Sequence, residues 1–124
     1  EAPFAASPYQ DQLRLPELFC GFLRRRRRGP TAYPVACSPQ AWAAAAPFAM
    51  LAACLGLELP AATNEVKLID PVLPTFLDDI TLRGLKLTGS QFDLRVHRHK
   101  SDVTINVLKR WAQSDASVVM TKTR

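Results

Sequence analysis

A chain of 124 residues, 48% of them hydrophobic, carries enough apolar side chains for one modest core and is too short for a large self-contained enzyme. Its formal charge of +5 invites a nucleic-acid reading, yet of its 16 Lys and Arg five stand in the run Arg24 to Arg28, and the remaining 11 balance the 11 Asp and Glu. One loop is basic and the protein is not, so a nucleic-acid partner is not expected.

The first dozen residues, EAPFAASPYQDQ, hold two prolines and few apolar anchors and begin without a methionine, which reads as a cut or processed chain. They lack the basic region and apolar core of a secretory leader, and a cytoplasmic location is the expectation. Leu13 to Phe22, rich in Leu and Phe around Pro16, suits a short buried extended segment. Leu23 is its last apolar residue, and the arginine run then ends at the turn pair Gly29-Pro30.

Ser38 opens a helix signal. Ser38 can cap, Pro39 fits a first helical position where a missing N–H costs nothing, and an alanine-rich run follows. Pro47 lies too deep to be an N-terminal proline and is expected to kink or divide the helix, and Gly56 supplies a stop. No residue from Ser38 to Leu57 is charged, so the helix has no solvated face of its own and calls for other helices around it. Its apolar part is alanine-rich and shorter than the about 20 strongly apolar residues of a membrane span, so no membrane partner is expected.

Pro60 to Asn64 reads as a linker, and the chain beyond it changes character. Runs of mostly period two occupy Val66 to Ile69, Ile80 to Leu87, Gln91 to Val96 and Val103 to Leu108. Turn residues separate them at Asp70-Pro71, Leu73-Pro74, Thr88-Gly89-Ser90 and Lys100-Ser101-Asp102. Leu85 and Leu87 against Phe92, Leu94 and Val96 form a hairpin around Gly89, with Gly84 as a bulge that brings Leu82 onto the same face. The expectation is one small antiparallel sheet of three or four strands, followed from Trp111 by a polar, frayed tail. Cys20, Cys37 and Cys54 are odd in number, lie in apolar contexts and form no CxxC pair, which suits buried reduced thiols rather than a disulfide framework or zinc site.

Two segments carry a family resemblance. LPELFCGF, Leu15 to Phe22, and GPTAYPVACSPQAWAAAAPF, Gly29 to Phe48, resemble the C-terminal part of bacterial amylo-α-1,6-glucosidases, glycogen-debranching-enzyme-like glycoside hydrolases. The segment Leu82 to Val96 is similar to their terminal β-rich piece. Ala45 stands where such proteins usually carry glycine, and the arginine run is denser than their usual loop. The resemblance implies an α+β fragment: a late helix of an (α/α)6 barrel followed by a small antiparallel β-sheet piece. Residues 1–59 would end the barrel, 60–110 would form the β region, and 111–124 would be the tail. It also implies an α-glucan or α-glucoside substrate, a missing N-terminal barrel portion as partner, and no cofactor.

Hydrolysis of a glycosidic bond uses two carboxyl groups, one protonated to help the leaving oxygen depart and one ionised, about 6.5 to 9.5 Å apart in inverting enzymes. Resemblance to barrel glycosidases, which place the base in a loop before a Trp-containing helix, makes Glu17 the candidate general base, with the chain inactive alone. The competing reading is a structural glutamate paired with Arg14. Asp11, Glu58 and Asp78-Asp79 stand in ordinary contexts, and no second acid with a recognisable motif is present. For substrate binding the candidates are Phe22, Tyr33 and Trp42, whose rings stack on sugars or fill a core, and Gln40, which binds a hydroxyl or caps backbone groups. The arginine run is a solvated loop or a polyanion contact. His97-Arg98-His99 puts two imidazoles on one strand face, an arrangement for weak metal binding or a plain surface strand; with no third ligand nearby the surface strand is the expectation and no metal is assigned. Two rivals stand beside the hydrolase reading: a small non-catalytic module for polyanions or carbohydrates, and a truncated remnant without function.

Overall fold

The computed structural model describes residues 5–23, 25–60, 62–87, 89–100, 102–112 and 115–123. Contacts divide the chain into two compact units, Glu1–Met50 and Leu51–Arg124. Arg24, Thr88 and Ser101, named above in the loop and turn assignments, lie outside the described residues.

The first unit is mostly irregular chain. Two 3-10 turns, Ser7–Tyr9 and Asp11–Leu13, precede the LPELFCGF segment, and the only buried hydrophobics described in this unit are Ala6, Leu15 and Ala43. The expected burial of Leu13 to Phe22 is corrected: Leu15 is buried, but Leu13, Leu18, Phe19 and Phe22 are exposed.

Helix α1 spans Ala41–Leu55. It starts later than Ser38 and Pro39 promised. Those two, joined by a cis peptide bond, precede the helix, and Gln40 caps it instead: its side-chain Oε1 accepts from Ala41 N at 3.2 Å and its carbonyl from Ala44 N at 3.0 Å. Pro47 sits inside without dividing the helix. Gly56 ends it, as anticipated, with φ of +53°. A Cβ on Gly56 would stand 1.9 Å from the Ile69 carbonyl oxygen, so only glycine fits where the chain turns back against the sheet.

In the second unit β1 (Leu57–Glu58), β2 (Glu65–Ile69) and β6 (Ser117–Thr121) form one sheet in the order β1-β2-β6, while β3 (Asp79–Leu87), β4 (Ser90–His99) and β5 (Asp102–Ala112) form another in the order β3-β4-β5. β1 lies antiparallel to β2. β3 and β4 form the hairpin expected around Gly89, in a register that pairs Leu82 with Leu94, Leu85 with Phe92 and Leu87 with Ser90, with a shift between Leu82 and Leu85. Gly84 occupies that bulge, where its N–H donates to Asp93 Oδ1 at 2.8 Å. One core collects Leu55, Val66, Leu68, Leu73, Phe92, Leu94, Val96, Val103 and Ala116, with Leu51, Leu57 and Val118 packed on it.

These observations overturn the fold class read from the resemblance. The described chain is mostly β, with one helix of 15 residues and two sheets of three strands each; it is not a late helix of an (α/α)6 barrel followed by a small antiparallel piece. The last turn of α1 finds its apolar partners on strands, through Leu51 and Leu55, while Trp42 and Phe48 earlier in the helix stay exposed. Within the tail, residues 113, 114 and 124 lie outside the described ones, and the described part is not frayed. β5 runs on to Ala112, and β6 lies parallel to β2, pairing Val66 with Val118 and Leu68 with Met120.

Candidate functional site

Glu17 is half-buried on the loop that follows the second 3-10 turn. Its Oε2 accepts from the Cys37 backbone N–H at 2.5 Å and its Oε1 from Gln40 Nε2 at 2.9 Å. Gln40 is thereby used at both ends of its amide, since its Oε1 caps the first residue of α1. The carboxylate thus ties three stretches together: the LPELFCGF segment, the loop around Cys37 and the entry to the helix. Arg14 does not pair with it. The Arg14 Nε donates to the Asp11 carbonyl at 3.1 Å, and no ion pair formed by described residues includes Glu17.

Of the residues singled out in the sequence, the structure brings Glu17 and Gln40 into direct contact. Tyr33 and Trp42 are 48% and 55% exposed, which removes the core reading of both rings. Phe22, 74% exposed, belongs elsewhere: with Tyr9, Phe19, Leu23, Arg25 and Arg28 it lines an open concavity of about 1300 Å3 whose lining includes neither Glu17 nor Gln40, Tyr33 or Trp42. Arg25, Arg26, Arg27 and Arg28 are exposed, as a solvated loop requires.

Sequence reasoning missed the Cys37 N–H as the partner of Glu17. A backbone donor leaves no trace in side-chain identity, and only the bend that brings Cys37 back creates it. Cys20, Cys37 and Cys54 are all free, but Cys37 is exposed rather than buried. Among the described residues no group of three His, Cys, Asp or Glu side chains could hold a metal ion, and no helix is long and apolar enough to cross a membrane.

A second carboxylate with a defined environment stood in the sequence only as a turn residue. Asp70, after β2, accepts from Thr123 N at 2.7 Å and from Thr123 Oγ1, and its own N–H donates to the Thr121 carbonyl at 2.9 Å. The Thr123 hydroxyl and then the Thr123 backbone N–H hold the Asp70 carboxyl below its usual range, because both favour the charged form. This clamp is structural: it locks β6 onto the end of β2.

No protein-family model, curated protein or solved structure matches this chain.

Proposed function

We propose that this chain is the C-terminal portion of a cytoplasmic glycoside hydrolase acting on α-glucans or α-glucosides, similar to amylo-α-1,6-glucosidases, and that it contributes Glu17 as general base and is inactive alone. The seating of Glu17 is the observation that supports this reading. A base must hold one oxygen toward a water while the rest of the carboxylate is fixed. Each carboxylate oxygen has two acceptor positions; Cys37 N–H occupies one on Oε2 and Gln40 one on Oε1, so the group is oriented with acceptor capacity left over. The exposed side chains of Tyr33 and Trp42 flank Gln40 in sequence and are aromatic residues of the kind pyranose rings stack on. Hydrolysis needs a second carboxyl group, and since no acid with a recognisable motif accompanies Glu17 in this sequence, this reading assigns the general acid to other parts of the complete protein.

The test is to read the gene in register upstream of Glu1, express the whole frame, and assay an α-1,6-linked glucoside. The intact protein is expected to hydrolyse it, Glu17→Gln to lower kcat by at least about 100-fold with KM little changed, and the 124-residue chain to be inactive. A whole frame without glucosidase activity, or one that keeps it in Glu17→Gln, overturns the reading.

One observation favours a second reading, a polyanion-binding module. Arg25 to Arg28 are exposed and enter no ion pair among the described residues. Retention of the chain on heparin that weakens steeply with salt, and disappears when these arginines are replaced by serine, would support it.

A further inference from the structure

Strand β4 alternates cleanly. Phe92, Leu94 and Val96 enter the core, so Asp93, Arg95, His97 and His99 share the opposite face of the sheet. On that face the two imidazoles meet, with ring centroids 4.6 Å apart and planes at 76°. His97 is half-buried and its Nδ1 is buried without a hydrogen-bond partner. Because Nδ1 is buried, Nε2 is the nitrogen of this ring through which an ion from solvent would be held.

The surrounding acids are already engaged. Asp79 on β3 and Thr104 on β5 face His97, and Asp102 faces His99. Asp79 accepts from Arg95 Nε at 3.2 Å, whereas Asp102 pairs with the Lys122 ammonium and accepts from Val103 N. Asp93, further along the face, is bound to Gly84 N. Each of these carboxylates already holds a cationic or N–H donor, and the two imidazoles meet on this face with no third His, Cys, Asp or Glu grouped with them among the described residues.

We propose that His97 and His99 form a two-imidazole chelating site for one late first-row divalent cation, Ni2+ or Cu2+, with water completing the shell. Nitrogen donors in open coordination suit these ions, which stand high in the order of divalent affinities. A structural zinc site takes four protein ligands and is not offered by this face. The Arg95 guanidinium on the same face lowers the attraction for any cation, so binding is weaker than at a closed site.

Ni2+ is the probe, because it leaves the exposed Cys37 thiol unoxidised. Calorimetric titration of the untagged full chain with NiCl2 at neutral pH is expected to give one ion per chain. His99→Gln, at an exposed position, and His97→Gln should each cut affinity by more than the about 10- to 100-fold typical for loss of an outer-shell partner, with the strand signal in circular dichroism unchanged for His99→Gln. Absence of binding to the parent chain overturns the proposal. So does binding that survives both replacements, which would place the ion elsewhere on the chain.

Discussion

Glu17 and Asp70 are both carboxylates that accept two donors, yet they answer to different measurements. Replacing Glu17 by Ala removes the acceptor of Cys37 N–H and Gln40 Nε2. The expected cost is about 1 kcal/mol per hydrogen bond lost, read as faster amide exchange at Cys37 and fraying of the Ala41 end of α1, while exchange in β4 stays unchanged. For Asp70 the experiment is a pH series. Its carboxyl titrates lower in the folded chain than its ordinary value of 3.8, so its contribution to stability is complete above that value and is lost as the pH falls through the lower folded one. In Asp70→Asn the acid limb of the melting curve should flatten, and β6 amides should exchange faster at neutral pH than in the parent. A parent and variant with superimposable acid limbs would show that the Thr123 clamp does not hold the strand.

At the scale of elements the strongest prediction is at Gly56. Alanine there must adopt a φ of +53° with its Cβ 1.9 Å from a backbone oxygen, and neither the turn nor Ile69, whose N–H donates to Gly56 O at 3.0 Å, can give way cheaply. Gly56→Ala is expected to cost roughly 2–5 kcal/mol, strain and overpacking combined, seen as a large drop in thermal midpoint. Pro47→Ala runs the other way: an interior proline lacks the N–H for its helical bond, so the change should stabilise α1 by up to about 3 kcal/mol. β2 to β5 were legible because each alternates over its own length and is bounded by local turn residues; Gly84 even disclosed the bulge. β6 was not legible. Its partner β2 is far away in sequence, so no local turn announces the pairing, and Ser117–Thr121 is short. β1, at two residues, is beneath any periodicity. The uncharged helix was visible, but charge absence says only that a helix wants apolar cover, not whether helices or strands provide it. At the site the carboxylate and the glutamine could be picked out singly, while their contact required the fold of the loop between them.

For the molecule as a whole, apolar burial is unequally distributed. Nearly all the large core side chains, Leu55, Val66, Leu68, Phe92, Leu94 and Val96, belong to the Leu51–Arg124 unit. In the other unit Leu13, Phe19, Phe22, Leu23, Val35, Trp42 and Phe48 are each more than half exposed, so each forgoes a large part of the about 1.5–3 kcal/mol that full burial of such a side chain yields. Stability should therefore be graded along the chain rather than uniform. Amides of β2 and β4 are expected to resist exchange longest, those of residues 13–40 to exchange first, and an apolar dye to bind the folded chain through the uncovered rings. Trypsin gives the sharpest form of this prediction, because its preferred residues Arg25 to Arg28 lie exposed in the weakly buried unit, whereas those of the sheets, such as Arg95 and Arg98, are held by Asp79 and Asp78. Brief digestion should cut within the arginine run and leave a resistant product containing all six strands. Equal cleavage at Arg95 or Arg98 would mean that the β unit lacks the stability its core implies, and an uncut arginine run would mean that the first unit is protected by more than its own packing.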